Sequence, residues 1–173
     1  GIGEGAFARL RLLTNRARRV NPADRVLWGI LTLQAVLLFS HPAHLPVWGD
    51  ELFTLRVARL GWAELLHTVA ADIHPPLYYA LAKLWGMITP PGFDPAVWLR
   101  LPSGIFVLLA TAVLHLVWLR HWPTQRRAWA LLFWALSPAM LLFGRMARSY
   151  TLQTLAVLVA VWCLREWLRR GGG

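Results

Sequence analysis

The sequence predicts an all-α membrane protein, a polytopic helical bundle of about four transmembrane helices with interfacial helices in its first outer loop. Three observations carry this. The 173 residues are 57% hydrophobic and only 15% charged, with eleven tryptophans, a balance unlike that of a soluble domain. Apolar runs recur at 22–40, 102–119, 125–143 and 150–167, each close to the roughly 20 residues that the hydrocarbon core requires. The arginines gather at the ends of those runs, where membrane topology puts them, rather than along one face. The net charge of +10 is thereby explained by topology, and no nucleic-acid partner is predicted. One membrane domain accounts for residues 1–173, and the single cysteine, Cys163, reads as a small apolar residue within a span.

Residues 1–20 carry Arg9, Arg11, Arg16, Arg18 and Arg19 and are expected to form a cytoplasmic basic segment on the anionic inner membrane surface. Asn21, Pro22 and Asp24 read as N-cap, first helical residue and first-turn acid. A helix from Pro22 to Ser40 would be about 28 Å long, enough to cross. No cleavable signal peptide is expected, because no small-residue cleavage site follows the first apolar run.

The segment 41–101 forms the outer loop. Asp50 is expected to cap a helix from Glu51 to Leu60, with Phe53, Val57 and Leu60 on one side and Arg56 and Arg59 on the other. Gly61 ends it. Trp62, Leu65, Leu66 and Val69 make the apolar face of a second helix that stops before His74-Pro75-Pro76. Both are short and amphipathic, which suits the interface plane. The run 76–89 (PLYYALAKLWGMIT) contains Lys83 and reaches only about 21 Å, short of a span. It is expected to be a half-buried helix that does not cross.

Charge sets the orientation. With the N-terminus cytoplasmic and 76–89 not crossing, twelve of the eighteen basic residues face inward and five of the eight acids lie in the outer loop. If 76–89 crossed, the basic turn at Arg120–Arg127 would face outward. Four spans, in a cytoplasmic (inner) membrane, satisfy the rule. The same arrangement brings Asp50, His74, Arg100, Arg145 and Arg148 to the extracytoplasmic side.

Several of these residue types carry chemistry. Asp50-Glu51 reads either as a pair of helix-start acids or as a general base, a divalent-cation ligand, or both. Adjacent helical residues point about 100° apart, and Asp50, at the loop-to-helix junction, is the better placed to face a cavity. His74, in HPPLYY, precedes the half-buried helix where it would meet a lipid phosphate. In FGRMARSYTL, Arg145 and Arg148 are three apart and are expected to share a helix face. They read as headgroup anchors or as a phosphate clamp. Arg100, opening a span in RLPS, reads chiefly as an interface anchor. His41, His44, His67, His115 and His121 show no metal-ligand spacing, and no metal-binding residue is assigned.

Taken in order, these motifs resemble the GT-C superfamily of membrane glycosyltransferases, the branch of the protein O-mannosyltransferases and bacterial aminoarabinose transferases. The residues that carry the resemblance are Asp50-Glu51, HPPLYY at 74–79, RLPS at 100–103, Ser137-Pro138, and Ala147-Arg148-Ser149-Tyr150, and it covers about residues 20–168. Met146 stands where such enzymes often have an acid before Ala-Arg. Members are much longer, so the resemblance implies that this chain is an N-terminal portion. It also implies a polyprenyl-phosphate-sugar-dependent glycosyltransferase that transfers a sugar, with inversion, to an unidentified acceptor on the extracytoplasmic side. Asp50, with Glu51 beside it, would be catalytic. His74, Arg100, Arg145, Arg148 and Tyr150 would bind the lipid phosphate. No cofactor is fixed by these motifs, which leave open a divalent cation at Asp50/Glu51. The expected partners are the polyprenyl-phosphate-linked donor and membrane lipids. A non-catalytic protein binding lipid phosphates and a transporter subunit are the alternatives.

Overall fold

The computed structural model describes residues 22–71 and 75–171; the basic segment 1–20, the cap Asn21, and Asp72 and His74 lie outside them. Among the described residues all regular structure is helical. Helix α1 (Pro22–Phe39) starts on a proline, which suits a first helical position, and carries Asp24 in its first turn. It stops at His41, whose φ of 50° and ψ of 44° are left-handed, a conformation that costs a non-glycine residue roughly 1–2 kcal/mol. A 3₁₀ turn at Pro42–His44 follows.

Helix α2 (Gly49–Arg59) corrects an expected cap. Trp48 is its extended N-cap, so Asp50 lies in the first turn and caps nothing. The acid that reaches back is Glu51, which accepts the Trp48 backbone N–H at 3.1 Å. Helix α3 (Trp62–Ala70) buries Leu65 and Val69. Helix α4 (Pro76–Gly86) is shorter than the expected 76–89; at about 16 Å it falls well short of a bilayer. Its Lys83 donates to the Leu60 carbonyl at the end of α2 and lies over the Trp62 ring, 5.4 Å from the centroid.

Helix α5 (Pro95–Val113) runs on through a π-helical turn at Leu114–Trp118. It begins seven residues before the expected start at 102, because Asp94 caps it by accepting the Ala96 N–H at 2.7 Å. Pro102 is therefore internal. Lacking an N–H, it leaves the Trp98 carbonyl without its helical donor, and the Trp85 Nε1–H takes that place at 2.9 Å. Trp98 Nε1 donates in return to the Trp85 carbonyl at 3.0 Å. The two indoles stack with centroids 5.0 Å apart, fastening α4 to the first turns of α5.

The expected span at 125–143 is broken into α6 (Thr124–Ala135) and α7 (Pro138–Gly144), bent by 51°. Pro138 cannot continue the hydrogen-bond ladder, so Leu136 and Ser137 leave the helix. Helix α8 (Tyr150–Arg169) closes the described chain. Three helical stretches, Asp24–His44, Pro95–Trp118 and Tyr150–Arg169, are long and apolar enough to cross a membrane, and a fourth if α6 and α7 form one bent span.

Helix α5 is central, touching α1, α4, α7 and α8. Two glycines permit the closest approaches. A Cβ on Gly104 would lie 2.6 Å from the Phe39 ring, and one on Gly144 would lie 2.6 Å from Leu38, the small-residue contact by which membrane helices pack. Inside the bundle, the Thr111 hydroxyl lies 2.7 Å from Gln34 Oε1 and accepts Trp134 Nε1–H at 2.9 Å, which links α1, α5 and α6. One apolar core joins α2, α3 and α4 to Leu99 of α5 and to Ala147; a second joins Ile30, Leu119, Leu131 and Ala135. Large apolar side chains such as Trp28, Phe133, Val157 and Leu168 face outward, an exposure compatible with a hydrocarbon surrounding.

Candidate functional site

The segment between α7 and α8, residues 145–149, has no helical ladder, so its polar backbone needs other partners. Side chains from α2 and α5 supply them. Glu51 Oε1 accepts the Ala147 N–H at 2.9 Å, and Thr54 Oγ1 donates to the Ala147 carbonyl at 2.8 Å. Ser103 Oγ donates to the Arg148 carbonyl at 3.3 Å. With its one hydrogen so used, Ser103 accepts from the Tyr78 hydroxyl, 3.2 Å away. Burial pushes the Tyr78 hydroxyl pKa up and keeps it protonated for that bond.

Because this segment is not helical, Arg145 and Arg148 do not share a helix face as expected. Arg148 turns toward α2 and α4, where its Nη1 donates to the Asp50 carbonyl and to the Tyr79 hydroxyl, both at 3.2 Å. Its Nη2 lies 3.7 Å from Asp50 Oδ2. The Arg148 side chain is 4% exposed and that of Asp50 63%, so a buried cation stands behind an open carboxylate. Tyr150 closes one side: its ring centroid is 5.9 Å from Arg148 Cζ and 4.6 Å from the Phe143 ring.

Arg145 turns the other way. Its Nη2 donates to the Ser40 carbonyl at 2.8 Å, while its buried Nε has no hydrogen-bond partner among the described residues. It borders an apolar groove of about 320 Å³ lined by Leu45, Pro46, Trp48, Leu141 and Leu142.

Glu51 and Arg100 hold the frame. Arg100 donates through Nε to Glu51 Oε1 and through Nη2 to Oε2, both at 2.8 Å. Its remaining donors serve the carbonyls of Pro42, Leu45 and Pro46. All five guanidinium hydrogens are thus engaged, so Arg100 is neither a free phosphate ligand nor an exposed interface anchor. Each Glu51 oxygen accepts two hydrogen bonds. Burial acts to raise the Glu51 pKa, but the hydrogen bonds from Arg100, Ala147 and Trp48 outweigh it and hold the carboxyl below its ordinary range. A cation at Asp50/Glu51 would find only Asp50 open. Among the described residues, no three His, Cys, Asp or Glu side chains gather as a metal-ligand group.

The structure thus joins Asp50 to Arg148, which has Tyr150 beside it, joins Glu51 to Arg100, and sets Arg145 apart on the groove; His74 lies outside the described residues. Sequence reasoning passed over Thr54, Ser103 and Tyr79. The signal for the first two was present: each is a polar residue three after a charged one (Glu51, Arg100), hence on the same helix face. Tyr78 and Tyr79, the tyrosines of HPPLYY, are buried against the 145–149 segment. No protein-family model, curated protein or solved structure matches this chain.

Proposed function

We propose that this chain is a portion of a membrane glycosyltransferase of the GT-C type, which takes its sugar from a polyprenyl-phosphate donor. The observation that carries the reading is the exposed Asp50 carboxylate backed by the buried Arg148 guanidinium, with Arg145 and an apolar groove on the other side of the same turn. A prenyl chain suits the groove, and a phosphate suits Arg145, whose Nε has no hydrogen-bond partner among the described residues.

The end of α1, the start of α5, the end of α7 and the start of α8 meet at this site, while Arg120, Arg127 and Arg165 lie toward the opposite helix ends. Four spans, with α6 and α7 as one bent span, a cytoplasmic N-terminus and α2 to α4 at the outer interface account for that segregation. The site then faces the extracytoplasmic side of the inner membrane.

In this scheme Asp50 takes the proton of an acceptor hydroxyl. That oxygen attacks the anomeric carbon as the bond to phosphate breaks, with inversion, and the polyprenyl phosphate departs as a stable anion. Such a leaving group needs cations rather than a general acid, and Arg148 and Arg145 supply the charge. Glu51 and Arg100 position the turn that carries both arginines.

The test is transfer of a labelled sugar from a polyprenyl-phosphate donor by protein reconstituted in liposomes. Asp50→Asn should abolish transfer while donor binding persists. Unchanged turnover would remove Asp50 as the base. Donor binding without transfer in the unaltered protein would favour a non-catalytic lipid-phosphate protein, which needs only the arginines.

A further inference from the structure

At the opposite end of the bundle, α8 presents Trp162, Arg165, Glu166 and Arg169 at spacings of three, four and seven, which place them on one stripe. That stripe faces the end of the π-helical turn and the following residues Val117, Arg120 and His121, and a notch of about 40 Å³ lies between them. The notch carries three arginines against one acid. Glu166 is taken by Arg169, whose Nη2 donates to it at 2.9 Å, so the charges of Arg120 and Arg165 stay uncompensated. Arg120 uses only its Nε, on His121 Nε2 at 2.9 Å. Arg165 has no hydrogen bond or ion pair among the described residues.

The surroundings decide what such a cluster meets. Leu116, Val161, Leu164 and Leu168 are exposed on the same helix ends, and Trp162 walls the notch. Cations bordered by outward-facing apolar side chains and an indole sit at headgroup depth, not in free solution. The ligand that matches is one negative charge with oxygens for two guanidinium groups, on a molecule with an apolar body.

We propose that the notch between the end of α5 and the last turns of α8 binds the phosphodiester of an anionic phospholipid. Arg120 and Arg165 clamp the phosphate, and the acyl chains lie along the apolar flank of α8. This site is separate from the one around Asp50 and does not depend on the transferase reading.

The experiment is native mass spectrometry of the full chain in detergent, titrated with phosphatidylglycerol or with phosphatidylcholine. Phosphatidylglycerol should bind about tenfold more tightly, and Arg120→Gln or Arg165→Gln should each reduce that preference about fivefold. Both side chains reach outward, so circular dichroism of the variants should match the parent. Equal binding of the two lipids, or an undiminished preference in the double variant, would overturn the proposal. Displacement of the lipid by an equal concentration of inorganic phosphate would instead assign the notch to a free anion, and displacement by an acidic peptide to a protein partner.

Discussion

Arg100 of α5 and Glu51 of α2 meet as a two-pronged buried ion pair, Nε on Oε1 and Nη2 on Oε2, each at 2.8 Å. The same carboxylate holds the Ala147 N–H, and the same guanidinium holds three carbonyls of the 42–46 loop. Four pieces of chain are therefore registered by two side chains. The turn bearing Arg148 sits where it does because of that pair.

Removing one partner leaves the other charged and buried, a loss of about 3–5 kcal/mol. Glu51→Ala and Arg100→Ala should each lower the unfolding midpoint in detergent sharply. The double variant Glu51→Ala/Arg100→Ala should be less impaired than the single losses added together. Strict additivity in the thermal unfolding series would show that the two act independently.

The pair also sets an acid limit. The Glu51 pKa is lowered in the folded protein, so its contribution is complete above the unfolded value near 4.5 and is lost as the pH falls through the lower folded value. Stability should change little through Glu51 between pH 7 and 5 and then drop below about 4.5, and Glu51→Gln should flatten that drop. An unchanged acid limb in Glu51→Gln would contradict the assignment.

Arg148→Lys keeps a charge but loses the planar fork that reaches the Asp50 carbonyl and Tyr79. Charge-assisted hydrogen bonds are each worth about 1.5–3 kcal/mol, so affinity for a polyprenyl phosphate should fall about tenfold or more. Equal affinity in lipid-binding titrations would place the phosphate elsewhere.

Gly104→Ala and Gly144→Ala should destabilise the bundle by about 1–3 kcal/mol, because each added methyl meets Phe39 or Leu38 at 2.6 Å. Gly29→Ala is the control, since a Cβ there meets nothing within 4 Å and a helical alanine gains about 0.5–1 kcal/mol over glycine. Thermal midpoints of the three proteins in one detergent give the comparison.

Trp98→Phe keeps a ring against Trp85 but deletes the Nε1–H that serves the Trp85 carbonyl. A loss of about 1 kcal/mol is expected, with faster amide exchange at the end of α4. Protection equal to the parent's would mean that the stacked rings alone join α4 to α5.

Much of the helical pattern was legible in the chain. Apolar length marked α1 and α8 within about two residues, because an unbroken apolar run long enough to cross a bilayer is read directly from composition. The errors fell where a proline's effect depends on its neighbours. Local pattern makes Pro102 the start of a span, whereas in the fold it is interior, since Trp85 from another helix supplies the donor for the Trp98 carbonyl. Pro138 divides a run that composition alone reads as continuous.

By itself, the sequence determined the helical fold, the apolar stretches and the list of residues able to do chemistry, because length, hydropathy and residue type are local properties. Tertiary structure alone decided their tasks. It made Glu51 a structural acceptor and left the adjacent Asp50 open, consumed every donor of Arg100, and sent Arg145 and Arg148 in opposite directions. The physical reason is that a buried charge must find its hydrogen bonds. Which groups meet that need depends on contacts across 49 to 105 residues of chain, a range that no local pattern encodes.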